Sequence, residues 1–282
     1  MRKLFIIFSL VLAVVACTKK VIIPDDPSDV DDGRTEVRAS VDDYGGQPFV
    51  WTASTRIGVY DAEGRANQRY TLTSSCIGKS GEVSLYGPTI GRLPVAYLPY
   101  SAKGYPCVAD HRQPVLPEQT AGISAQDHLR RNAVLIAEAD EEGRFRFSYG
   151  SGNTGLLHLT LKCPVDGLVA KVVLHCPEAP LAGNVHIDAG EDPLVADGSH
   201  YLTLTDVGRP CTATAPLEVW AQVPSGEYRH LTVSVFGGDG AVSAVTGNTL
   251  KVSPGGTVNV TAESRPNEAG NEDLTIIDGT YQ

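Results

Sequence analysis

Short runs with strand-like alternation, each closed by Gly, Pro, Asn or Asp, recur along this chain, and almost no segment carries a helical period. A chain built this way has to bury its apolar residues between sheets. Glu82-Val83-Ser84-Leu85-Tyr86 and Leu217-Glu218-Val219-Trp220-Ala221-Gln222-Val223 alternate cleanly. Arg144-Phe145-Arg146-Phe147-Ser148-Tyr149 also alternates, which puts Phe145, Phe147 and Tyr149 on one face. Leu231-Thr232-Val233-Ser234-Val235-Phe236 meets Ala241-Val242-Ser243-Ala244-Val245 across Gly237-Gly238-Asp239-Gly240, a hairpin with a Gly/Asp-rich loop. Two further runs flank Pro164-Val165-Asp166-Gly167 and read as a second hairpin. A parallel α/β sheet would need crossover helices of a dozen residues or more, and none is visible. The pattern predicts an all-β fold of antiparallel sandwiches.

Between these runs the reading is coarser. Leu93-Pro94-Val95-Ala96-Tyr97-Leu98-Pro99-Tyr100 is a strand whose prolines suit an edge or a strand end. Residues 101–123 read as irregular, and residues 127–137 read either as a short helix or as a strand-bearing connection. The part of the 282-residue chain that follows the expected signal peptide exceeds the usual size of one domain and suits two domains of common size. The expected division is a signal peptide at 1–16, a tether at 17–34, an N-terminal β-sandwich over 35–152, a C-terminal β-sandwich over 153–265 and a tail at 266–282. In the tail, Leu274-Thr275-Ile276-Ile277 either closes an edge of the second domain or forms a strand that pairs with another subunit.

Arg2 and Lys3 precede an apolar run over residues 4–16, broken only by Ser9. That run is shorter than the about 20 residues needed to cross a bilayer and has the layout of a secretory signal. Val14-Val15-Ala16-Cys17 looks like a bacterial lipobox, which makes Cys17 the expected acylated residue and mature N-terminus. Each buried lipid CH₂ adds about 0.8 kcal/mol of membrane affinity. Pro24, Pro27 and the aspartates between residues 25 and 32 cannot bury enough surface to order themselves, so they read as a solvated spacer. The formal net charge of −10 argues against nucleic acid and against electrostatic adhesion to anionic lipid.

Catalytic patterns are missing. The chain contains no GxSxG elbow, P-loop or GxGxxG run. The closest approach to a metal-ligand spacing is His175-Cys176, and adjacent strand residues point to opposite faces. Asp127-His128 joining a distant serine in a triad is neither supported nor excluded. Five cysteines follow Cys17 (Cys76, Cys107, Cys163, Cys176 and Cys211), an odd number that leaves at least one thiol unpaired within a monomer. No catalytic residue, metal site or cofactor is expected. Trp51, Trp220, Tyr86, Tyr97 and Tyr100 stack on sugars if exposed, although an alternating aromatic in a strand-rich chain is more often core.

Several of these elements together resemble the fimbrillin-like family of Bacteroidales lipoproteins, the subunits and anchors of surface fimbriae. The matching features are Trp51 followed by Arg56-Ile57-Gly58-Val59-Tyr60, the strand Val95-Ala96-Tyr97-Leu98-Pro99-Tyr100, and the passage from Phe145 to Leu161. Leu181-Ala182-Gly183-Asn184, Leu250-Lys251-Val252-Ser253-Pro254-Gly255-Gly256 and Val258-Asn259-Val260 match in the second half. An acidic residue often precedes the family's isoleucine, where this chain has Arg56. The resemblance implies tandem transthyretin-like sandwiches at the outer membrane. It also implies proteolytic trimming after a basic residue, for which Arg34 and Arg38 are the candidates, and assembly with other fimbrial subunits by strand exchange. A host or bacterial surface ligand follows from the same resemblance. The alternative is a surface glycan-binding lipoprotein.

Overall fold

Phe145 and Phe147 are fully buried and Arg146 between them is exposed, as a two-residue period on a half-buried strand requires. The computed structural model describes residues 34–43, 47–60, 67–88, 95–149, 152–162, 165, 167–187, 196–212, 214–238, 240–246, 248–266 and 272–281. The expected signal peptide, Cys17 and the aspartate-rich spacer lie outside the described residues, as does Cys163.

The first half contains strands β1 (Arg34–Val41), β2 (Arg56–Tyr60), β3 (Gln68–Leu72), β4 (Val83–Pro88) and β5 (Val95–Leu98). Then come helix α1 (Pro106–Ala109), β6 (Arg112–Val115), β7 (Glu118–Thr120), α2 (Ala125–Asn132), β8 (Leu135–Glu138) and β9 (Arg144–Phe147). The second half begins with β10 (Thr154–Lys162), β11 (Leu168–Val169), β12 (Lys171–His175), β13 (Ala182–His186) and β14 (Ala196–Ser199). It continues with β15 (Tyr201–Thr205), β16 (Arg209–Pro210), β17 (Leu217–Pro224), β18 (Gly226–Tyr228) and β19 (Thr232–Phe236). The last strands are β20 (Ala241–Thr246), β21 (Leu250–Val252), β22 (Thr257–Pro266) and β23 (Glu272–Tyr281).

A seven-stranded sheet has the order β8-β5-β2-β3-β4-β1-β9. Its outer strands meet at a bridge between Ala139 and Phe145, so the sheet rolls into a nearly closed barrel and hides its edges. Trp51, Ile57, Val59, Tyr70, Leu85, Phe145 and Phe147 fill it. A nine-stranded sheet has the order β17-β10-β22-β23-β20-β19-β12-β15-β7. Its core draws on Leu157, Leu159, Leu161, Val172, Leu174, Val219, Val233 and Val235. Three small sheets, β14-β13-β6, β11-β16 and β18-β21, complete the architecture.

The fold is all-β, as the alternation predicts, but its sheets are mixed. The ladders β1–β9, β10–β22, β15–β7 and β20–β23 are parallel. Here parallel neighbours are linked by chain that passes through other strands, so the expected crossover helices are not needed. The strands on either side of residues 164–167 do not pair with each other. Strand β10 pairs with β17 and β22, whereas β12 pairs with β15 and β19. The hairpin of β19 and β20 forms with Phe236 opposite Ala241.

Residues 101–123 are not irregular throughout. They supply α1, β6 and β7, and β6 and β7 pair with β13 and β15 of the second half. Residues 127–137 yield both structures considered for them, the end of α2 and the start of β8. The tail is a strand of its own chain, and it lies inside the nine-stranded sheet between β22 and β20, not at its edge.

Close packing on the outer face of the barrel sheet, where Tyr97 joins Tyr60, Val95, Val108, Val134 and Ile136, demands small residues at particular ladder positions. Gly58 on β2 faces Tyr97 on β5, and a Cβ built on Gly58 would lie 2.1 Å from Tyr97 Cε1. The Tyr97 ring is fully buried, and its hydroxyl donates to Asn67 Oδ1 at 2.6 Å, so it has nowhere to retreat. Gly58→Ala is therefore expected to lower stability by about 3 kcal/mol, the upper end of ordinary overpacking costs. Urea unfolding measures this directly, and a loss below about 0.5 kcal/mol would show that the ring moves freely.

Candidate functional site

Two places stand out. The first is β1, where the chain enters the barrel. Its burial alternates, with Val37, Ala39 and Val41 inside and Arg34, Glu36 and Arg38 outside. It is antiparallel to β4, with Val37 opposite Leu85, and parallel to β9, with Val41 opposite Phe147. In the ladder register Arg34 lies opposite Pro88 of β4, and Arg38 lies between Ser84 and Arg144. The Arg38 guanidinium is exposed and 4.0 Å from Glu82.

The second is a cleft of about 460 Å³ at one mouth of the barrel. The loop before β2 supplies Phe49, Val50, Thr52, Ser54 and Thr55, and β2 itself begins with Arg56. The opposite wall comes from Leu98, Pro99 and Tyr100 after β5, Arg130 and Ala133 from α2 and its end, Leu135 and Tyr149. The Thr52 hydroxyl lies 3.0 Å from that of Ser54 and 2.9 Å from that of Thr55. Arg56 Nη1 donates to the carbonyls of Ala53 at 2.6 Å and Thr55 at 2.7 Å. Burial, with the neighbouring Arg69 charge adding to it, lowers the Arg56 pKa. Burial raises that of Tyr149.

Helix α2, which carries Arg130, is fixed by its ends. Ser124 Oγ accepts from Asp127 N at 3.2 Å, and the Asp127 carboxylate accepts from Ile123 N and Arg131. Beneath it is a buried polar cluster. His128 Nε2 donates to Gln119 Oε1 at 2.8 Å, and Asn132 Nδ2 reaches His128 Nδ1 at 3.2 Å. Gln119 Oε1 also accepts from Gln222 N at 2.9 Å, which ties α2 to β17. Desolvation pulls the His128 pKa down to about 4, although Asp127 opposes the shift.

The residues considered from sequence are placed as follows. Asp127 and His128 do not assemble a triad, since the carboxylate caps a helix and the ring serves Gln119 and Asn132. His175 stacks on Tyr201 at 4.2 Å, while the Cys176 thiol is buried and donates to the Arg229 carbonyl, so this adjacent pair diverges. Among the described residues, no cluster of three His, Cys, Asp or Glu side chains could hold a metal. Cys76, Cys107 and Cys176 are free thiols. Trp51 and Tyr97 are core residues, and Trp220 stacks on His158 at 4.6 Å. Of the five aromatics, only Tyr100 lines the cleft. Sequence reading missed Arg130, Phe49, Thr52 and Thr55 as a group. The one available signal was the arginine at position 56, where the resemblance leads one to expect an acid.

No protein-family model matches the chain, and no curated protein does. Solved structures overlap it in part. A Bacteroides ovatus protein assigned to cell adhesion is 15% identical with a TM-score of 0.48, over 87% of this chain and 96% of its own. The tip fimbrial protein Mfa3 of Porphyromonas gingivalis is 8% identical with a TM-score of 0.35, over 88% of this chain and 100% of its own. The fimbrial anchor protein Mfa2 of the same organism is 10% identical with a TM-score of 0.35, over 87% and 96%. With identity this low and overlap this partial, function is argued from the chain's own residues.

Proposed function

We propose that this chain is a structural and adhesive component of cell-surface fimbriae, a pilus subunit or its outer-membrane anchor, with no catalytic role. In this reading each half is a transthyretin-like sandwich, residues 1–16 are a signal peptide, and Cys17 carries lipid in the outer membrane. Other fimbrial subunits join by β-strand exchange. The observation that supports the reading is β1. It is the first described strand, it follows a spacer rich in aspartate, and it is bonded on both sides within the barrel. Its removal would leave two unpaired ladders flanking a slot for alternate apolar side chains, which is the requirement for β-augmentation. Arg34 and Arg38 provide basic residues at which trimming would begin to open that slot.

Mass analysis of the mature N-terminus recovered from cells tests the reading. The expected species are an acylated Cys17 on an anchor, or a chain that begins at Thr35 or Ala39 on a fibre subunit. A soluble cytoplasmic product that retains Met1 would overturn both. Deletion of the gene is expected to change the number, length or attachment of surface filaments.

A further inference from the structure

We propose that the cleft at the barrel mouth is a binding site for a carboxylate-bearing saccharide, held through Arg56 and Arg130. This assignment is independent of strand exchange, because every lining residue lies outside β1.

The first ground is charge. The chain carries a formal net charge of −10, yet among the described residues the lining of this cleft includes two arginines and no aspartate or glutamate. An acidic protein that concentrates uncompensated positive charge in a concave site attracts an anion there. Among the described residues neither guanidinium makes an ion pair. Partial burial, with the neighbouring Arg69 charge adding to it, lowers the Arg56 pKa, the direction expected where positive charge is concentrated.

The second ground is geometry. Arg56 Nη1 is occupied by the carbonyls of Ala53 and Thr55, which fix the plane of the guanidinium. Among the described residues Nε and Nη2 make no hydrogen bond, and they form the edge that presents two parallel N–H donors to a carboxylate. Arg130 lies on the other wall and is exposed.

The third ground is the remaining lining. The hydroxyls of Thr52, Ser54 and Thr55 are held against one another, with rotatable donors and acceptors that match those of a sugar. Phe49, Tyr100 and Tyr149 give aromatic surface for the apolar face of a pyranose ring. A simple anion would have no use for these groups. The volume of about 460 Å³ falls within the range of small-molecule sites, and barrel mouths are a common place for them.

The test is calorimetric titration of the full chain with sialyllactose, glucuronate, lactose and acetate. Sialyllactose or glucuronate is expected to bind at least about tenfold more tightly than lactose and acetate. Arg130→Ala should weaken that binding about tenfold with an unchanged circular dichroism spectrum, since the Arg130 side chain is exposed at the surface of α2. Arg56→Lys should also weaken it, because the charge stays but the fork is lost. Equal binding of lactose, or of acetate, would overturn the saccharide assignment. So would a tripeptide with a free carboxylate binding as tightly as the sugars, undiminished binding in Arg130→Ala, or no binding of either acidic saccharide at millimolar concentration.

Discussion

A chain that starts at Asp42, and so lacks β1, is expected to melt roughly 10–20 °C below the intact protein and to associate in solution. The estimate comes from side chains. Val37 is 3% exposed, Ala39 0% and Val41 5%, and all three pack in the barrel core. Burying each valine contributes about 1.5–3 kcal/mol, so β1 as a whole contributes about 5 kcal/mol. In a domain of this size each kcal/mol corresponds to about 2–4 °C. The backbone of β4 and of β9 loses its partner at the same time, and two unpaired edges beside an apolar slot favour pairing with another chain. The eight-residue peptide of Arg34–Val41 added in trans should restore the melting temperature and suppress association. The same peptide with Val37→Asp should not, because that side chain would be buried opposite Leu85. An Asp42 chain that stays monomeric with an unchanged melting temperature would show that β1 is not part of the barrel's stability, and strand exchange there would lose its basis.

Strands that announce themselves in this sequence are those whose partner is near or whose alternation is strict. The β19–β20 hairpin has both, and β9 shows its buried face through Phe145 and Phe147. Strands β6 and β7 have neither. Strand β6 carries Pro114 and lies at the edge of its small sheet, where a missing N–H does little harm, but its partner β13 lies some seventy residues further along the chain. Strand β7 is three residues long and ends the nine-stranded sheet. Gln113 and Gln119 look like loop residues from composition, and both are buried because backbone carbonyls and His128 satisfy them. The Gly58–Tyr97 contact is invisible for a similar reason, since nothing local to either residue says that they will face each other.

Legibility was lower still for the cleft. Its residues come from four separate stretches, around 49–56, 98–100, 130–135 and 149, so no spacing rule joins them. Aromatic content drew attention to the wrong side chains. Trp51 and Tyr97 have large apolar surfaces to lose, and the fold buries both completely. Tyr100 follows the strand and escapes that burial by position alone. The arginines carried the better signal, since a cation beside a core strand in an acidic chain needs a reason to be there.

Acid should weaken this protein well above the pH at which its carboxylates titrate, through His128. The ring is fully buried as the tautomer protonated on Nε2, which donates to Gln119 while Nδ1 accepts from Asn132. Desolvation disfavours the charged ring, and protonation of Nδ1 would also set an N–H against the Asn132 amide, so the pKa falls to about 4 from an ordinary value of 6.5 although Asp127 opposes the shift. The unfolded chain therefore takes up a proton that the folded one refuses. The contribution of His128 is fully present above about pH 6.5 and is lost as the pH falls toward 4. Linkage puts the loss at about 2 kcal/mol by pH 5 and about 3 kcal/mol by pH 4. Asp127, held below the usual carboxylate range by the Ile123 N–H and Arg131 against the opposing effect of desolvation, acts at lower pH and leaves the window from 7 to 5 to the histidine. The measurement is the urea midpoint of the native chain and of His128→Gln across that window, with the difference read against pH. The variant should start less stable, because Gln119 and Asn132 lose a fitted partner, and the gap should close by about 2 kcal/mol on going to pH 5. A gap that stays constant would mean that His128 titrates alike in both states, and the cluster joining α2 to β17 would then be open to water.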